Sequence, residues 1–259
     1  MKEGKVYHKI LNEFCASKGA VFSVIDPPNQ DPDVSGKLAK AAEEAGVSAV
    51  AVGGSVGAQG DLLDKTIIEI KENSSLPVIL FPGNIATISK YADAIYFMSL
   101  MNSNDPYYIT GAQIASAYSV KKLGLEVLPT SYIITEPGRA VGWVGKAQLI
   151  PRNLPYLAGI TALAGQFMGS KLIILESGGG APSPAPPAMV AYTKKAVDIP
   201  LIVAGGVRSP KHAFETIKAG ADIIHVGTAA EEAKGNISKA KLTLTKMVQA
   251  VKKAAKTKK

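Results

Sequence analysis

The chain has 259 residues, of which 47% are hydrophobic and 19% are charged. This length and composition suit a soluble globular protein with one large core, and we expect a single domain. Cys15 is the only cysteine, which excludes an intrachain disulfide and favours a cytoplasmic protein. Lys and Arg outnumber Asp and Glu by 29 to 21, but no aromatic-interleaved basic patch points to nucleic acid.

Both ends of the chain carry charge. The first 20 residues, "MKEGKVYHKILNEFCASKGA", have the pattern of an amphipathic helix and lack the apolar core of a signal peptide. Much of the positive excess lies in the closing "KKAAKTKK" (252–259), which we expect to be a disordered tail. Such a tail leaves open an attraction to phosphates or peripheral contact with an anionic membrane surface. The apolar stretch "YLAGITALAGQFMG" is too short to cross a bilayer, which takes about 20 residues.

Eight apolar runs of strand length recur along the chain. Fully buried parallel strands have this continuous rather than alternating pattern. In chain order the runs end at Asp26, Gly54, Gly83, Asn102, Thr135, Ser177, Gly206 and Gly227. Helical patterns such as "SGKLAKAAEEAG" and "SPKHAFETIKAG" separate most of them, and several close on a glycine.

Eight β-then-α units in about 250 residues predict a closed (β/α)8 TIM barrel. An open doubly wound sheet is the alternative, although no G-x-G-x-x-G follows the first strand. Only "NIATISKYAD" separates the third run from the fourth, and a parallel crossover with its helix needs about 10 to 12 residues or more. We therefore expect the third helix to be missing or reduced, which would leave an apolar groove down the flank. The long connection from Glu136 to Ser170 is expected to be a lid or an interface element.

Glycines follow three consecutive runs at what would be the catalytic end of the barrel. They stand in "ESGGG" (Glu176 to Gly180), at Gly205-Gly206 and at Gly227-Thr228. Without a Cβ, glycine lets backbone N–H groups approach an anion, and phosphate sites recur after strands seven and eight of this fold. One such loop could simply turn the chain, whereas three together predict a phosphate site.

Two acids, Asp26 and Glu176, also end apolar runs. Asp26 ends the first run and Ser55 follows the second, which gives oxygen ligands on neighbouring strands of the kind that Mg²⁺ prefers. The alternative is that Asp26 caps a turn before proline. Glu176 ends the sixth run, where a carboxylate could accept a hydroxyl proton or stabilise a cation; the alternative is a salt-bridged structural residue.

Several blocks together resemble geranylgeranylglyceryl phosphate synthase, an archaeal prenyltransferase of the phosphate-binding barrel class. They are "VIDPP", "FPGN", "YFMSLMNSNDPYYITGAQ", "SYIITEPGRAVGWVG", "LESGGGAP" and "VAGGVRSPKHAFETIKAGADIIHVGT", in the family's order and across nearly the whole chain. The resemblance implies transfer of geranylgeranyl diphosphate to the 3-hydroxyl of sn-glycerol 1-phosphate, with release of pyrophosphate, in archaeal ether-lipid synthesis. It also implies a barrel without the third helix.

The resemblance assigns roles by position. Asp26 and Ser55 match the family's Mg²⁺ site, and Glu176 and Tyr132 match its catalytic acid and a tyrosine at the same centre. The residues that match its glycerol phosphate site are Ile174, Leu175, Glu176, Ser177, Gly178, Gly179, Gly180, Gly205, Gly206, Gly227 and Thr228. Two departures affect these expectations: Pro28-Asn29 replaces a charged pair beside the metal site, and Ile174 stands where a tyrosine often begins the motif.

The resemblance further implies a homo-oligomer, a dimer or a hexamer, with Trp143 as a candidate interface residue; ordinary packing is the alternative for that side chain. His8, His212 and His225 have no common metal-binding spacing, and we expect His225 to be a core or lining residue. Rival functions are a longer-chain prenylglyceryl phosphate synthase and an aldolase or isomerase on the same barrel. No strand-end lysine suits carbonyl chemistry, which weighs against the latter.

Overall fold

Eight parallel strands form a closed barrel in which each strand pairs with its sequence neighbours and β1 pairs with β8, which confirms the predicted TIM barrel. The computed structural model describes residues 4–228 and 235–258. The strands are β1 Ala20–Ile25, β2 Ala49–Gly54, β3 Val78–Pro82, β4 Ala94–Leu100, β5 Glu126–Ile134, β6 Leu172–Glu176, β7 Leu201–Ala204 and β8 Ile223–Val226.

Alternating residues of each strand enter two different cores, which explains why the strands are apolar throughout. In β1, Phe22 lies in the barrel interior with residues such as Tyr96 and Ile174, whereas Val21 packs outward against the helices. The outer helices are α1 Lys5–Lys9, α2 Pro32–Glu44, α3 Gly60–Asn73, α4 Ala112–Leu123, α5 Arg139–Val144, α6 Pro155–Phe167, α7 Pro187–Ala196, α8 Pro210–Lys218 and α9 Ile237–Ala255. Because both faces of each strand are buried, the strands have continuous apolar sequences and not alternating ones.

The third helix is absent, as predicted. Residues 83–93 connect β3 to β4 without a helix. The Asp93 carboxylate stabilises this short connection by accepting a hydrogen bond from the Val78 N–H at 2.8 Å. The side of the barrel between α3 and α4 is therefore uncovered.

Residues near both ends of the described chain contact the amino-terminal ends of strands, at Glu126 of β5 and at Asp222 before β8. The predicted N-terminal helix is present: α1 spans Lys5–Lys9 and continues as a π-helical turn over Ile10–Cys15. The predicted disorder of the basic tail is wrong, because α9 extends to Ala255 and the Lys258 Nζ donates to the Asp222 carboxylate at 3.1 Å. Charge alone predicted a solvated tail; burial of the apolar face of α9, including Val251 and Ala254, keeps it docked. Within the described ranges, no helix is long and apolar enough to cross a membrane.

Candidate active site

Glu176 is the last residue of β6 and faces the cavity at the carboxyl ends of the strands. Its carboxylate accepts hydrogen bonds from the Gly178 N–H to Oε1 at 2.6 Å and from the Tyr132 hydroxyl to Oε2 at 3.2 Å. Both donors are neutral, so these contacts do not describe a salt-bridged structural residue. The structure thus brings together Glu176 and Tyr132, which were predicted to be catalytic.

The environment of Glu176 tunes its acidity. Only 5% of the residue is exposed, and this burial raises the pKa of the carboxyl to about 7, although the bonds from Gly178 and Tyr132 oppose the rise. Burial and the neighbouring carboxylate raise the pKa of Tyr132 well above its usual value, so its hydroxyl remains a donor. A carboxyl group with a pKa near neutrality is suited to accept a proton and release it again.

Aromatic rings form the floor beneath Glu176. The Phe81 ring meets those of Tyr96, Tyr132 and His225 edge-on, with centroids 5.6, 5.7 and 5.4 Å away. The Tyr96 hydroxyl lies 3.2 Å from His225 Nε2, and burial lowers the pKa of that histidine to about 3. His225 is thus a neutral lining residue, as expected. Sequence reasoning gave no role to Phe81, whose only signal was an aromatic residue at the end of a strand.

The glycines after β6, β7 and β8 form one side of the mouth, which we call the phosphate edge (176–180, 205–206 and 227–228). Gly205 and Gly206 have φ angles of 72° and 74°, a conformation that favours glycine. A Cβ on Gly205 would overlap the Glu176 carboxylate and the Gly178 N–H, and one on Gly206 would overlap the backbone of Ser183. These contacts require glycine at both positions and make the edge a backbone-lined cup of the kind that binds anions.

The three loops of the phosphate edge also touch one another. The Gly180 N–H donates to Thr228 Oγ1 at 3.2 Å, and Gly179, Gly227 and Thr228 all line the cavity. Four other residues assigned to the glycerol phosphate site lie outside the cavity's described lining. Ile174 packs in the barrel interior, Leu175 packs against the outer helices, Ser177 is buried against Thr135, and Gly178 donates its N–H to the Glu176 carboxylate. Strand alternation makes the first two core residues, which a motif match alone does not show.

Asp26 and Ser55 lie at the ends of β1 and β2, on the part of the mouth next to β8, the last strand of the phosphate edge. The Asp26 side chain does not cap the turn that follows it. Its carboxylate packs against Gly54, where a Cβ would overlap it. Among the residues that the structure describes, no group of three or more His, Cys, Asp or Glu side chains is placed to hold a metal. A cation here would have one carboxylate ligand, which fits a Mg²⁺ ion that keeps waters and binds substrate phosphate.

The cavity continues from the mouth onto the uncovered flank, as the missing helix predicted. We call this part the groove edge; its lining includes Ile88, Ile95, Phe97, Gln113 and Ser116. The walls are mainly apolar, and they belong to β4, to α4 and to the connection that replaces the third helix. An extended hydrocarbon chain is the kind of ligand that such a surface accommodates.

Trp143 and the remaining histidines lie away from the reacting centre. Trp143 is on α5 and is 84% exposed, so it does not pack within its own chain. His8 is exposed on α1. His212 lies behind the phosphate edge, where its Nδ1 is 3.1 Å from the Gly206 carbonyl oxygen.

A family model described as the PcrB family matches residues 16–253. Geranylgeranylglyceryl phosphate synthase from Pyrococcus horikoshii is 54% identical over 90% of this chain and 92% of its own length. The enzyme of the same name from Pyrococcus furiosus is 54% identical over 94% of this chain and 96% of its own. The chain belongs to this synthase family. It is therefore an enzyme of the prenyltransferase class.

Solved structures of the synthase family share the architecture. Wild-type GGGPS from Thermoplasma volcanium superposes with a TM-score of 0.91 at 40% identity, covering 96% of this chain and 98% of its own. The (S)-3-O-geranylgeranylglyceryl phosphate synthase from Thermoplasma acidophilum, solved with sn-glycerol-1-phosphate, gives 0.92 at 36% identity over 96% and 99%. Tryptophan synthase from M. tuberculosis is similar in fold alone, with a TM-score of 0.62 at 14% identity over 96% of this chain and 100% of its own.

Proposed function

We propose that the enzyme joins the 3-hydroxyl of sn-glycerol 1-phosphate to geranylgeranyl diphosphate and releases pyrophosphate, in archaeal ether-lipid synthesis. One observation carries the proposal: a buried carboxylate with a near-neutral pKa shares one cavity with a backbone anion cup and an apolar groove. Each part corresponds to one chemical feature of the two substrates: a hydroxyl proton, a phosphate and a hydrocarbon chain. The relatives' name and the glycerol phosphate bound in the Thermoplasma acidophilum structure support the same substrates.

The phosphate edge would hold glycerol phosphate with its reacting hydroxyl toward Glu176. The C1–O bond of the prenyl diphosphate breaks, and its electron pair leaves with pyrophosphate. The hydroxyl oxygen then bonds to C1, and its proton passes to the Glu176 carboxylate. Gly178 and Tyr132 hold this carboxylate in one orientation. Positioning and a matched base are sufficient for this substitution, because the allylic leaving group departs readily once its charge is stabilised.

We also propose that Mg²⁺ is the cofactor, held by Asp26 and Ser55 together with the substrate diphosphate. A bound divalent cation would neutralise negative charge on the departing pyrophosphate. Among the described residues, Asp26 is the carboxylate that lines this part of the mouth, which supports a metal that arrives with its substrate. Titration of Mg²⁺ with and without a non-hydrolysable prenyl diphosphate analogue tests this, because we expect tight binding only in its presence.

One assay tests the reaction as a whole. The purified enzyme is incubated with Mg²⁺, sn-glycerol 1-phosphate and prenyl diphosphates of several lengths, and lipid-soluble products are identified by mass spectrometry. We expect a geranylgeranyl ether and one pyrophosphate per ether. An ether formed preferentially with a longer chain would replace the proposed prenyl donor, and no ether with any donor would contradict the reaction.

A homo-oligomer, either a dimer or a hexamer, is proposed as the working form. Large apolar side chains are exposed on two of the helices: Ile114 (77%) and Tyr118 (79%) on α4, and Trp143 (84%) on α5. Exposed apolar patches of this kind mark interaction surfaces. Sedimentation of the parent chain and of Trp143→Ser should show a smaller assembly for the variant. The cytoplasmic location expected from the sequence remains a prediction, which cell fractionation would test.

A further inference from the structure

Arg152 connects two loops behind the phosphate edge. It lies in the long connection after β5, outside the described lining of the cavity. One guanidinium nitrogen donates to Ser183 Oγ at 3.0 Å and to the Pro184 carbonyl at 2.8 Å, both in the loop after β6. The other donates to the Glu136 carbonyl at 3.2 Å, within its own connection. One planar side chain thus fixes the separation of the two loops.

The segment that Arg152 holds forms the back of the anion cup. Ser183 and Pro184 lie so close to Gly206 that a Cβ on this glycine would overlap their backbone. Pro184 is also buried. A shift of this segment would therefore change the space in which Gly206 and the neighbouring N–H groups receive an anion.

The acceptors of the guanidinium determine its role. They are one hydroxyl and two backbone carbonyls, so each bond has a direction that a flexible ammonium group cannot reproduce. Bonds from a charged donor are stronger than neutral ones and hold loops in one arrangement. An arginine that only solubilised the surface would make no such set of bonds across two loops.

We propose that Arg152 is a positioning residue that sets the width of the phosphate cup, and that the affinity for glycerol phosphate depends on it without contact to the substrate. This inference rests on the proposed function, since it names the substrate whose binding Arg152 controls. The groove edge lies on the far side of the mouth. The side-chain hydrogen bonds of Arg152 run to Glu136, Ser183 and Pro184, and none of these residues belongs to the groove edge. Binding of the prenyl diphosphate is therefore independent of it.

The test compares Arg152→Met with Lys146→Met. Lys146 lies in the same connection and forms a 2.7 Å ion pair with Asp105, but it bonds toward the loop after β4. Arg152→Met should raise the KM for glycerol phosphate roughly tenfold to a hundredfold, as expected for the loss of charged hydrogen bonds. The KM for the prenyl diphosphate should change less than twofold. Arg152→Lys, which keeps the charge without the planar fork, should fall between the parent and Arg152→Met.

Two results would overturn the proposal. Equal increases in both KM values, or the same glycerol phosphate defect in Lys146→Met, would mean that Arg152 only stiffens the connection in general. Calorimetric binding of inorganic phosphate to the parent and to each variant separates this inference from the reaction. If the parent makes no ether, the proposed function fails. Weaker phosphate binding by Arg152→Met, and not by Lys146→Met, would still support the positioning role of Arg152. Phosphate binding that is unchanged in Arg152→Met would contradict it even in an active enzyme.

Discussion

The phosphate edge and the groove edge recognise their ligands by different physical means. At the phosphate edge, backbone packs on backbone around Gly205 and Gly206, and the loops are joined by the Gly180–Thr228 and Arg152–Pro184 bonds. At the groove edge, the helix that follows the third strand in a regular barrel is missing. Half-buried side chains such as Phe97 and Ser116 line the uncovered hollow. Fixed N–H groups must be placed closely to bind an anion, whereas a hydrocarbon chain is stabilised by buried area wherever the walls allow.

The largest effect should come from Glu176, the carboxylate of the phosphate edge that faces the cavity. Glu176→Gln keeps the size of the side chain but removes the charge that accepts the proton. Loss of a positioned general base typically lowers turnover about 100- to 10,000-fold. The KM for glycerol phosphate should change little, because the glycine backbone is unaltered; steady-state kinetics measure both quantities. Turnover near the parent rate would show that the proton leaves by another route.

The pH profile provides a control for this role. Because the pKa of Glu176 is raised to about 7, kcat/KM should rise with pH through this value as the carboxylate ionises, and Glu176→Gln should lack this rise.

The free energy of unfolding should change with pH in the opposite direction. The folded state holds the proton more tightly than the unfolded state, so this group makes the fold less stable as pH rises from about 4.5 to about 7. Denaturant unfolding across this range should show a smaller decline in Glu176→Gln than in the parent.

The next effect should come from the metal side of the mouth. Asp26→Asn removes the carboxylate that the described residues place there, and it keeps the shape of the side chain. Neutralisation of a leaving diphosphate by a metal contributes several kcal/mol, so turnover at limiting Mg²⁺ should fall roughly 100-fold. High Mg²⁺ should restore part of the activity, and a Mg²⁺ titration of the rate measures this. An Mg²⁺ dependence identical to that of the parent would exclude Asp26 as a ligand.

A smaller and more selective effect is expected at Gly206. Gly206→Ala adds a Cβ at φ 74° against Ser183 and Pro184, and it should raise the KM for glycerol phosphate about tenfold. The matched control is Gly169→Ala at φ 98°, where a Cβ meets open space at the end of α6. Gly169→Ala should lose about 1–2 kcal/mol of stability to the strained backbone, and Gly206→Ala should lose more, because its Cβ also overlaps the backbone of Ser183 and Pro184. A glycerol phosphate defect of the same size in Gly169→Ala would show that strain, rather than the cup, is responsible.

The smallest effect should be a change in chain-length preference at the groove edge. Ser116→Phe places a ring in the wall of the groove, whereas Ser119→Phe adds the same ring to an exposed position of the same helix. Each methylene displaced from an apolar site costs about 0.8 kcal/mol. The ratio of activity with geranylgeranyl to geranyl diphosphate should therefore fall roughly three- to tenfold in Ser116→Phe only. An unchanged ratio would place the prenyl chain elsewhere.

Local sequence signals were sufficient for most of the fold. Apolar runs of strand length, helical patterns closed by glycine and the short third connection predicted eight strands and a missing helix. Each of these signals lies within a dozen residues. The basic tail failed as a prediction because its composition indicates solvation, whereas Val251, Ala254 and Lys258 dock on distant partners.

The sequence by itself determined which residues end the strands, and in a parallel barrel all strand ends meet at one face. It thereby brought Asp26, Glu176 and the glycines to one mouth. Only the tertiary structure decided that Ile174 and Leu175 are core residues, that Phe81 forms the floor, and that Arg152 reaches Pro184 across 32 positions. The tertiary structure also decided the raised pKa of Glu176, because burial depends on what surrounds a residue in space and not on its neighbours in the chain.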